Sequence, residues 1–212
     1  MRQIQPDLWV TEPEHPVPDE LPDLAMHAYL LVRDEGNVLF SRSEHAADHE
    51  RIRELGGITH HYITHWHEAG PGVARIRELF GSQVVCHREA EAILRRSSEV
   101  DRVFDTPLVE NGGIEIIPTP GHTPGSATYR YRSPHGMAYL FPGDTLFPSR
   151  GTWQAVVFED GDKDQLRESL GLLRTFDPDV VLFGAAVADT PYHTFTPDLW
   201  RKAVDQAAGS LR

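Results

Sequence analysis

The sequence predicts a mixed α/β domain, and three features of the chain support this prediction. Short runs rich in β-branched and aromatic residues, which are typical of strands, recur along the 212 residues. Helical patterns separate some of these runs, so hairpins are followed by alternating strands and helices, then by further hairpins, and finally by helices. No linker, repeat or low-complexity tract divides the chain, so we expect one domain over residues 1–212.

The predicted strands are the apolar runs bounded by turn residues. They are Ala28 to Val32, Asn37 to Phe40, Ile58 to Ile63, Gln83 to Cys86, Ile114 to Ile117, Ser126 to Tyr131, Met137 to Phe141 and Val180 to Phe183. The predicted helices run from Glu44 to Leu55, from Val73 to Phe80, from Arg88 to Arg95, through Leu166, Leu170 and Leu173, and from Thr196 to about Leu211. Glycines follow the first two helices, and a threonine cap with a first-turn proline begins the last.

The composition describes an acidic protein. Its 32 acidic and 20 basic residues give a formal net charge of -12, which argues against a nucleic-acid partner or an anionic membrane surface. Cys86 is the only cysteine, so no intramolecular disulfide can form. The first residues lack the basic and apolar regions of a secretory signal, and no run is long enough to span a bilayer. We therefore expect a cytoplasmic protein with a small-molecule substrate.

The segment THWHEAG, residues 64–70, places two histidines at the end of a predicted strand. Residues i and i+2 of an extended chain point the same way, so His65 and His67 can converge on one ion. Gly70, Pro71 and Gly72 then interrupt the chain before a helix, which sets the pair in a loop of the kind that commonly carries function. By itself the pair is a weak signal, and two surface histidines among the 12 in the chain are the simpler interpretation.

Two later motifs add candidate ligands. The segment PTPGHTPGS, residues 118–126, holds His122 in a loop stiffened by three prolines, which is a good mount for a ligand. The segment LFPGDT, residues 140–145, places Asp144 just past an apolar strand. Taken separately, His122 is compatible with an exposed loop histidine, and Asp144 with a turn aspartate that caps its own backbone.

In this order and at this spacing, the three motifs resemble those of the metallo-β-lactamase superfamily, and the resemblance covers nearly the whole chain. It implies a four-layer αβ/βα sandwich, in which two mixed β-sheets are flanked by helices and metals lie at one edge between the sheets. It also implies that His65, His67 and His122 form the first metal site. Asp144 matches the aspartate that usually bridges to a second metal.

The chain departs from the family pattern at the second metal site. The fuller motif is THxHxDH, whereas this chain has Ala69 and Gly70 at the positions of the acid and the last histidine, and Ala185 where a later histidine is expected. Because alanine coordinates no metal, we expect a reduced, mononuclear centre. Glu68, His60, His61, Asp189 and His193 are the conceivable substitutes, although strand alternation favours a solvated Glu68 and opposite directions for His60 and His61.

Other departures carry less weight. Ser41 stands in the turn after the second strand, where relatives often carry an aspartate. Cys86 and His87 follow an apolar strand, where a small buried thiol is the simplest interpretation. Trp66, Phe147 and Trp153 follow the site motifs closely and fit either a pocket lining or ordinary core and rim packing.

Three neutral imidazoles suit one divalent metal, with zinc expected before iron or manganese. The first hypothesis is a metal-dependent hydrolase of an ester, thioester or amide, in which Asp144 orients the attacking water or joins as a ligand. The second is an oxidoreductase that resembles the superfamily's persulfide dioxygenases, with iron held by His65, His122 and Asp144. The third is a binding protein without catalysis. The dimers frequent in the family suggest a homodimer.

Overall fold

The computed structural model describes residues 1–211 as seventeen β-strands, five α-helices and one short 3-10 helix. The strands are β1 (Arg2–Gln5), β2 (Leu8–Val10), β3 (Leu24–Met26), β4 (Tyr29–Leu31), β5 (Val38–Phe40), β6 (His60–Tyr62), β7 (Gln83–His87), β8 (Arg102–Phe104), β9 (Leu108–Glu110), β10 (Ile114–Pro118), β11 (Ala127–Arg132), β12 (Ala138–Gly143), β13 (Phe147–Ser149), β14 (Thr152–Gln154), β15 (Val180–Phe183), β16 (Ala185–Val187) and β17 (Tyr192–Thr194). The helices are α1 (Ala46–Glu54), α2 (Pro71–Phe80), α3 (Arg88–Leu94), α4 (Lys163–Leu173) and α5 (Pro197–Ser210), and the 3-10 helix is Trp66–Glu68.

Two large mixed sheets form the centre of the protein. The first has seven strands in the order β1-β2-β4-β5-β6-β7-β8, antiparallel from β1 to β5 and parallel from β5 to β8. The second has six strands in the order β17-β15-β12-β11-β10-β9, in which only β12 and β15 run parallel. A smaller sheet, β14-β13-β16-β3, was not expected from the sequence because its strands are only three residues long.

The buried side chains divide into layers that match a four-layer sandwich. Alternate residues of the two large sheets, such as Tyr29, Phe40 and Tyr129, meet in one apolar core between the sheets. The residues between them point outward, so Leu30 and Leu39 contact α1 and α2. On the opposite side, α4 and α5 cover the second sheet through a separate cluster of leucines, Trp200 and small residues. The fold class predicted from the sequence is therefore confirmed.

All the predicted strands and helices are present, with ends that differ by a few residues. The helix ends follow the predicted chemistry, since the Thr196 side chain accepts a hydrogen bond from Leu199 N and Pro197 begins α5. Gly81 ends α2 in a left-handed conformation, with φ of 66°. Among the described residues, no helix is long and apolar enough to cross a membrane.

His61 is a fully buried histidine on the helix-facing side of β6. Its Nε2 donates to Ser41 O at 2.5 Å, while its Nδ1 is buried without a hydrogen-bond partner. Burial lowers the pKa of His61 to about 4, partly offset by the bond to Ser41. The side chain is therefore neutral in the folded protein and titrates near its ordinary pKa of about 6.5 when unfolded.

We predict that His61 makes the protein less stable in mild acid. As the pH falls from 7 to 5, the unfolded chain takes up a proton that the folded chain does not, so the free energy of unfolding drops by about 2 kcal/mol from this residue. Urea unfolding at both pH values measures this drop. The His61→Gln variant keeps a donor for Ser41 but removes the titration, and an equal drop in that variant would contradict the assignment.

Candidate metal centre

The candidate site lies where the two large sheets meet at one edge. After β6, the chain continues through Thr64 and His65 into the 3-10 helix, and β11 begins beside it, since Ala127 N donates to Thr64 O at 2.8 Å. The Tyr129 hydroxyl adds a second link by donating to Ile63 O at 2.7 Å. These bonds hold the histidine loop of the first sheet against the strand ends of the second.

The structure brings His65, His67 and His122 together, as the sequence predicted. One ring nitrogen of each residue lies within 4.8 Å of the others, and His122 Nε2 stands 3.2 Å from His67 Nδ1. The three rings are nearly perpendicular to one another, with interplanar angles of 83–89°. Among the described residues no other group of three or more histidine, cysteine or acidic side chains is close enough to hold an ion.

Hydrogen bonds behind the rings select the nitrogens that face the site. The Thr64 hydroxyl donates its proton to Glu68 Oε1 at 2.6 Å. Its oxygen, Oγ1, is therefore free to accept a hydrogen bond from His65 Nδ1 at 2.9 Å. His122 Nδ1 donates to Val156 O at 2.9 Å. The outer nitrogens therefore carry protons, and Nε2 of His65 and His122 present lone pairs to the centre. His67 presents Nδ1.

Burial keeps the imidazoles of His65 and His67 neutral. It lowers the pKa of His65 well below the ordinary value, with further lowering by His122 and His67. It lowers the pKa of His67 to about 4, helped by His122 and opposed by Asp160. Neutral imidazole is the form that binds metals, so the cluster is ready to coordinate a cation near neutral pH.

Asp144 approaches this cluster from the end of β12. Its Oδ2 lies 3.5 Å from His65 Nε2 and 4.0 Å from His122 Nε2. Ligand atoms around a tetrahedral zinc ion, each about 2.0–2.1 Å from it, are about 3.3 Å apart. Asp144 Oδ1 and His65 Nε2 are both buried without a hydrogen-bond partner. Such groups are costly unless satisfied, so the donor set fits a bound divalent metal.

The Asp144 carboxyl is itself tuned by burial. Burial raises the pKa of Asp144, and His122 lowers it. A Cβ atom at Gly184 would stand 2.9 Å from Asp144 Oδ1, so glycine at this position leaves room for the carboxylate. The residue that follows is Ala185, which carries no ligand atom.

The other two positions that depart from the family motif lie beside the triad. Ala69 packs against the apolar cluster under α2 and α3. At Gly70, a Cβ atom would stand only 2.5 Å from the Arg42 guanidinium nitrogen Nη1. Arg42 also pairs with Glu44, at 2.5 Å. The space next to Gly70 is therefore filled by a cationic side chain, not by a metal ligand.

The conceivable substitute ligands do not join the triad. His193 pairs with Asp189 at 3.3 Å and packs against Trp153, at the far edge of the second sheet. His60 stacks on Tyr62, and His61 is buried on the other face of β6. These two histidines face opposite sides, as strand alternation predicted.

The expectation of a solvated Glu68 was wrong. The chain leaves the strand at His65 and turns into the 3-10 helix, so alternation stops and the Glu68 side chain folds inward. It is fully buried, and its Oε2 accepts from Thr64 N at 2.9 Å. Burial raises the pKa of Glu68 to about 7, against bonds from Thr64 and Ser41 that lower it. Ser41 stands where relatives often carry an aspartate. It was the one sequence signal that another residue would supply the carboxylate.

Aromatic side chains surround part of the triad. Trp66 lies 4.0 Å from His67 between ring centroids, so it borders the site. Phe158, which the sequence did not single out, lies 4.4 Å from His67 and 5.0 Å from His122. Trp153 instead packs on Phe183 and Phe195, at centroid distances of 5.4 Å each, which is core and rim packing.

Comparison with known proteins agrees with this geometry. Residues 43–185 match the family profile of the metallo-β-lactamase superfamily. The chain therefore belongs to the metallo-β-lactamase superfamily. A curated relative, the hydroxyacylglutathione hydrolase of Acidiphilium cryptum (strain JF-5), is 29% identical over 162 residues, which are 74% of this chain. The chain spans 62% of the length of that relative.

Solved structures show the same fold. A metallo-β-lactamase from Pontibacter korlensis superposes with a TM-score of 0.75 at 17% identity, covering 99% of this chain and 97% of that one. A Cronobacter sakazakii metallo-β-lactamase with a HARLDQ motif gives a TM-score of 0.61 at 17% identity, covering 82% of this chain and 81% of that one. At this identity the likeness concerns the fold alone.

The loop that carries His122 tolerates no side chain at Gly121, and we predict that Gly121→Ala is strongly destabilising. Gly121 has φ of 129°, and a Cβ atom there would stand 2.2 Å from Leu166 N in α4. Gly113→Ala is the matched control, since Gly113 has φ of 101° with no atom within 4 Å of that Cβ. Backbone strain should lower the free energy of unfolding of both variants by about 1–3 kcal/mol. The collision with Leu166 should lower that of Gly121→Ala by about 1–3 kcal/mol more. Urea unfolding measures both, and equal losses would contradict the prediction.

Glu68 supports His65 through Thr64, so we predict that Glu68→Gln weakens metal binding. Glutamine has only one acceptor oxygen for the two Thr64 donors, its amide and its hydroxyl, and its NH2 group would face one of them. Changes behind a metal ligand typically cost about 10- to 100-fold in affinity. Competition with a chromophoric zinc chelator measures the affinity. Glu78→Gln, on the exposed face of α2, is the control. A Glu68→Gln affinity equal to that of the control would show that the hydrogen-bond chain has no such role.

Proposed function

We propose that this protein is a hydrolase with a single divalent metal, zinc before iron or manganese, that cleaves an ester, thioester or amide of a small molecule. The observation that carries the proposal is the convergence of three imidazole nitrogens on one point, beside a buried and unpartnered Asp144 oxygen. Membership of the superfamily and the hydroxyacylglutathione hydrolase relative support a hydrolytic activity.

His65, His67 and His122 would hold the metal through Nε2, Nδ1 and Nε2 respectively. When bound, zinc would supply a Lewis acid and lower the pKa of a water toward 7. Asp144 contributes a carboxylate on the His65 side of the triad, where it can accept a proton and a hydrogen bond from water or complete the coordination. Whether Asp144 contacts the water or the metal decides the role of the site, because a catalytic zinc keeps one coordination position open, whereas a zinc with four protein ligands is structural.

A mononuclear centre is the second part of the proposal. Support comes from Ala69 and Ala185, which offer no ligand atoms, and from the Arg42 guanidinium against Gly70. A second cation next to Arg42 would meet like charge at short range, which disfavours it.

The test is the metal content of protein purified without chelators or a polyhistidine tag. We expect a single zinc ion per chain in the wild type and none after joint replacement of His65, His67 and His122 by alanine. Turnover of p-nitrophenyl acetate and of S-acetyl-N-acetylcysteamine should disappear with the metal. The Asp144→Asn variant should keep zinc but lose about 100-fold or more in kcat, as expected for a group that handles the proton of the attacking water.

Other outcomes would overturn the proposal in distinct ways. Bound iron with oxygen consumption in the presence of a thiol or persulfide would indicate the oxygenase alternative. A metal-free wild type that takes up no metal when zinc, iron or manganese is added would indicate a binding protein without catalysis. Two metals per chain would contradict the mononuclear centre while leaving hydrolysis in place.

A further inference from the structure

The loop between β14 and α4, residues 155–162, forms one side of the candidate site. It carries two of the most exposed large apolar side chains in the described structure, Phe158 at 49% and Val156 at 38% exposure. Apolar side chains scattered singly on a surface need no explanation, but Phe158 stands directly beside two candidate metal ligands. The Phe158 ring approaches both His67 and His122, edge to face.

Hydrogen bonds fasten this loop to the His122 loop. The Val156 carbonyl accepts from His122 Nδ1, and Asp162 N donates to Gly121 O, both at 2.9 Å. The backbones approach so closely that a Cβ atom at Gly161 would stand 2.4 Å from Gly121 O and 2.6 Å from His122 O. Phe158 is thus held in place by main-chain contacts on both sides of it in sequence.

A further bond ties the loop to the histidine pair. Trp66 Nε1 donates to Asp160 Oδ2 at 2.7 Å, and the Trp66 ring lies against His67. Trp66 and Phe158 therefore both contact His67, and they belong to two loops that are linked to each other. We call these two rings the aromatic wall.

The charges around the aromatic wall are negative. Glu159, Asp160 and Asp162 are exposed on the same loop. Lys163, the nearest basic residue in the sequence, lines a cavity of about 360 Å³ with Val156, Ser210 and Leu211, so it lies on the Val156 side of the loop. The protein as a whole carries a formal charge of -12. An anionic group arriving at this side of the site would meet like charge, whereas an uncharged apolar group would not.

We propose that the aromatic wall binds the acyl group of the substrate, and that this group is uncharged and apolar, such as a medium-length alkyl or aryl acyl chain. This assignment rests on the proposed hydrolase function, because it places the acyl chain beside the metal ligands. Apolar contact with Phe158 and Trp66 buries surface that water otherwise covers, and the acidic loop rejects carboxylate-bearing substrates.

Hydrolysis by the intact, zinc-loaded protein tests chain selectivity. We expect kcat/KM for p-nitrophenyl hexanoate to exceed that for the acetate ester by about tenfold. Phe158→Ala should lower kcat/KM for the hexanoate ester much more than for the acetate ester, so that most of this preference is lost. Phe158→Leu should restore part of it. Leu199→Ala, which truncates another half-exposed apolar residue, is the matched control. Equal losses for both esters in Phe158→Ala would mean that the ring only supports the metal site.

A pair of thioesters tests the acidic loop. The two thioesters share the same uncharged acyl chain. S-hexanoyl-N-acetylcysteamine is neutral, whereas S-hexanoylglutathione carries a net negative charge on its glutathione part. We expect the neutral thioester to be the better substrate at low ionic strength, and the difference to shrink in salt. Glu159→Gln should narrow the difference as well. A preference for the glutathione thioester would overturn the part of the proposal that concerns charge.

A binding measurement separates this proposal from the hydrolase function. Hexanamide and adipic acid monoamide are unactivated amides that differ by one terminal carboxylate, and their NMR spectra show whether either is cleaved during the measurement. In saturation-transfer NMR with the wild type, we expect hexanamide to bind and the anionic probe to bind more weakly, with hexanamide binding lost in Phe158→Ala. Hexanamide binding without any ester hydrolysis would refute the hydrolase alone. Ester hydrolysis with no hexanamide binding, or with binding unchanged in Phe158→Ala, would refute the aromatic wall alone.

Discussion

Thr64 is the residue through which the candidate site is assembled. Its carbonyl accepts from Ala127 N and so joins the two large sheets, while its amide and hydroxyl both donate to Glu68. The same hydroxyl accepts from His65 Nδ1. On the β12 side, Gly143 lies so close that a Cβ atom there would stand 2.6 Å from the Thr64 hydroxyl oxygen. Thr64 thus joins the two sheets through its carbonyl. Its side chain sets the tautomer of His65 and limits how closely the strand that delivers Asp144 can approach.

The electrostatic balance around Thr64 explains why such a site suits a cation. Glu68 is a fully buried carboxyl and Asp144 a half-buried one, and burial raises the pKa values of both. The three imidazoles beside them are buried or half-buried, and burial lowers the pKa values of His65 and His67. Neutral donors and nearby anions together favour a positive ion, whose binding energy adds to the stability of the folded state.

Much of the fold and of the triad could be predicted because these features depend on local patterns. Strand alternation and turn residues located the main strands, and the motifs identified the triad, although His67 lies in a 3-10 helix and not on the extended chain that the prediction assumed. The prediction for Glu68 failed because a single 3-10 turn reverses the direction that alternation implies. Phe158 was missed because its role depends on contacts with residues that are 36 and 91 positions away in the sequence, and no local pattern encodes them. The third sheet escaped because strands of three residues show no periodicity.

The way in which the 155–162 loop is attached has a consequence for how this protein can diversify. Its main chain forms hydrogen bonds with the His122 loop at Val156 and Asp162. At Gly161, the absence of a side chain lets the two backbones approach closely. Main-chain bonds do not depend on which side chains the intervening residues carry. Positions 157–159 can therefore change without displacing His122, which makes selectivity and metal coordination separable traits. Natural selection or protein design can therefore change substrate selectivity at these positions while the candidate metal ligands stay in place.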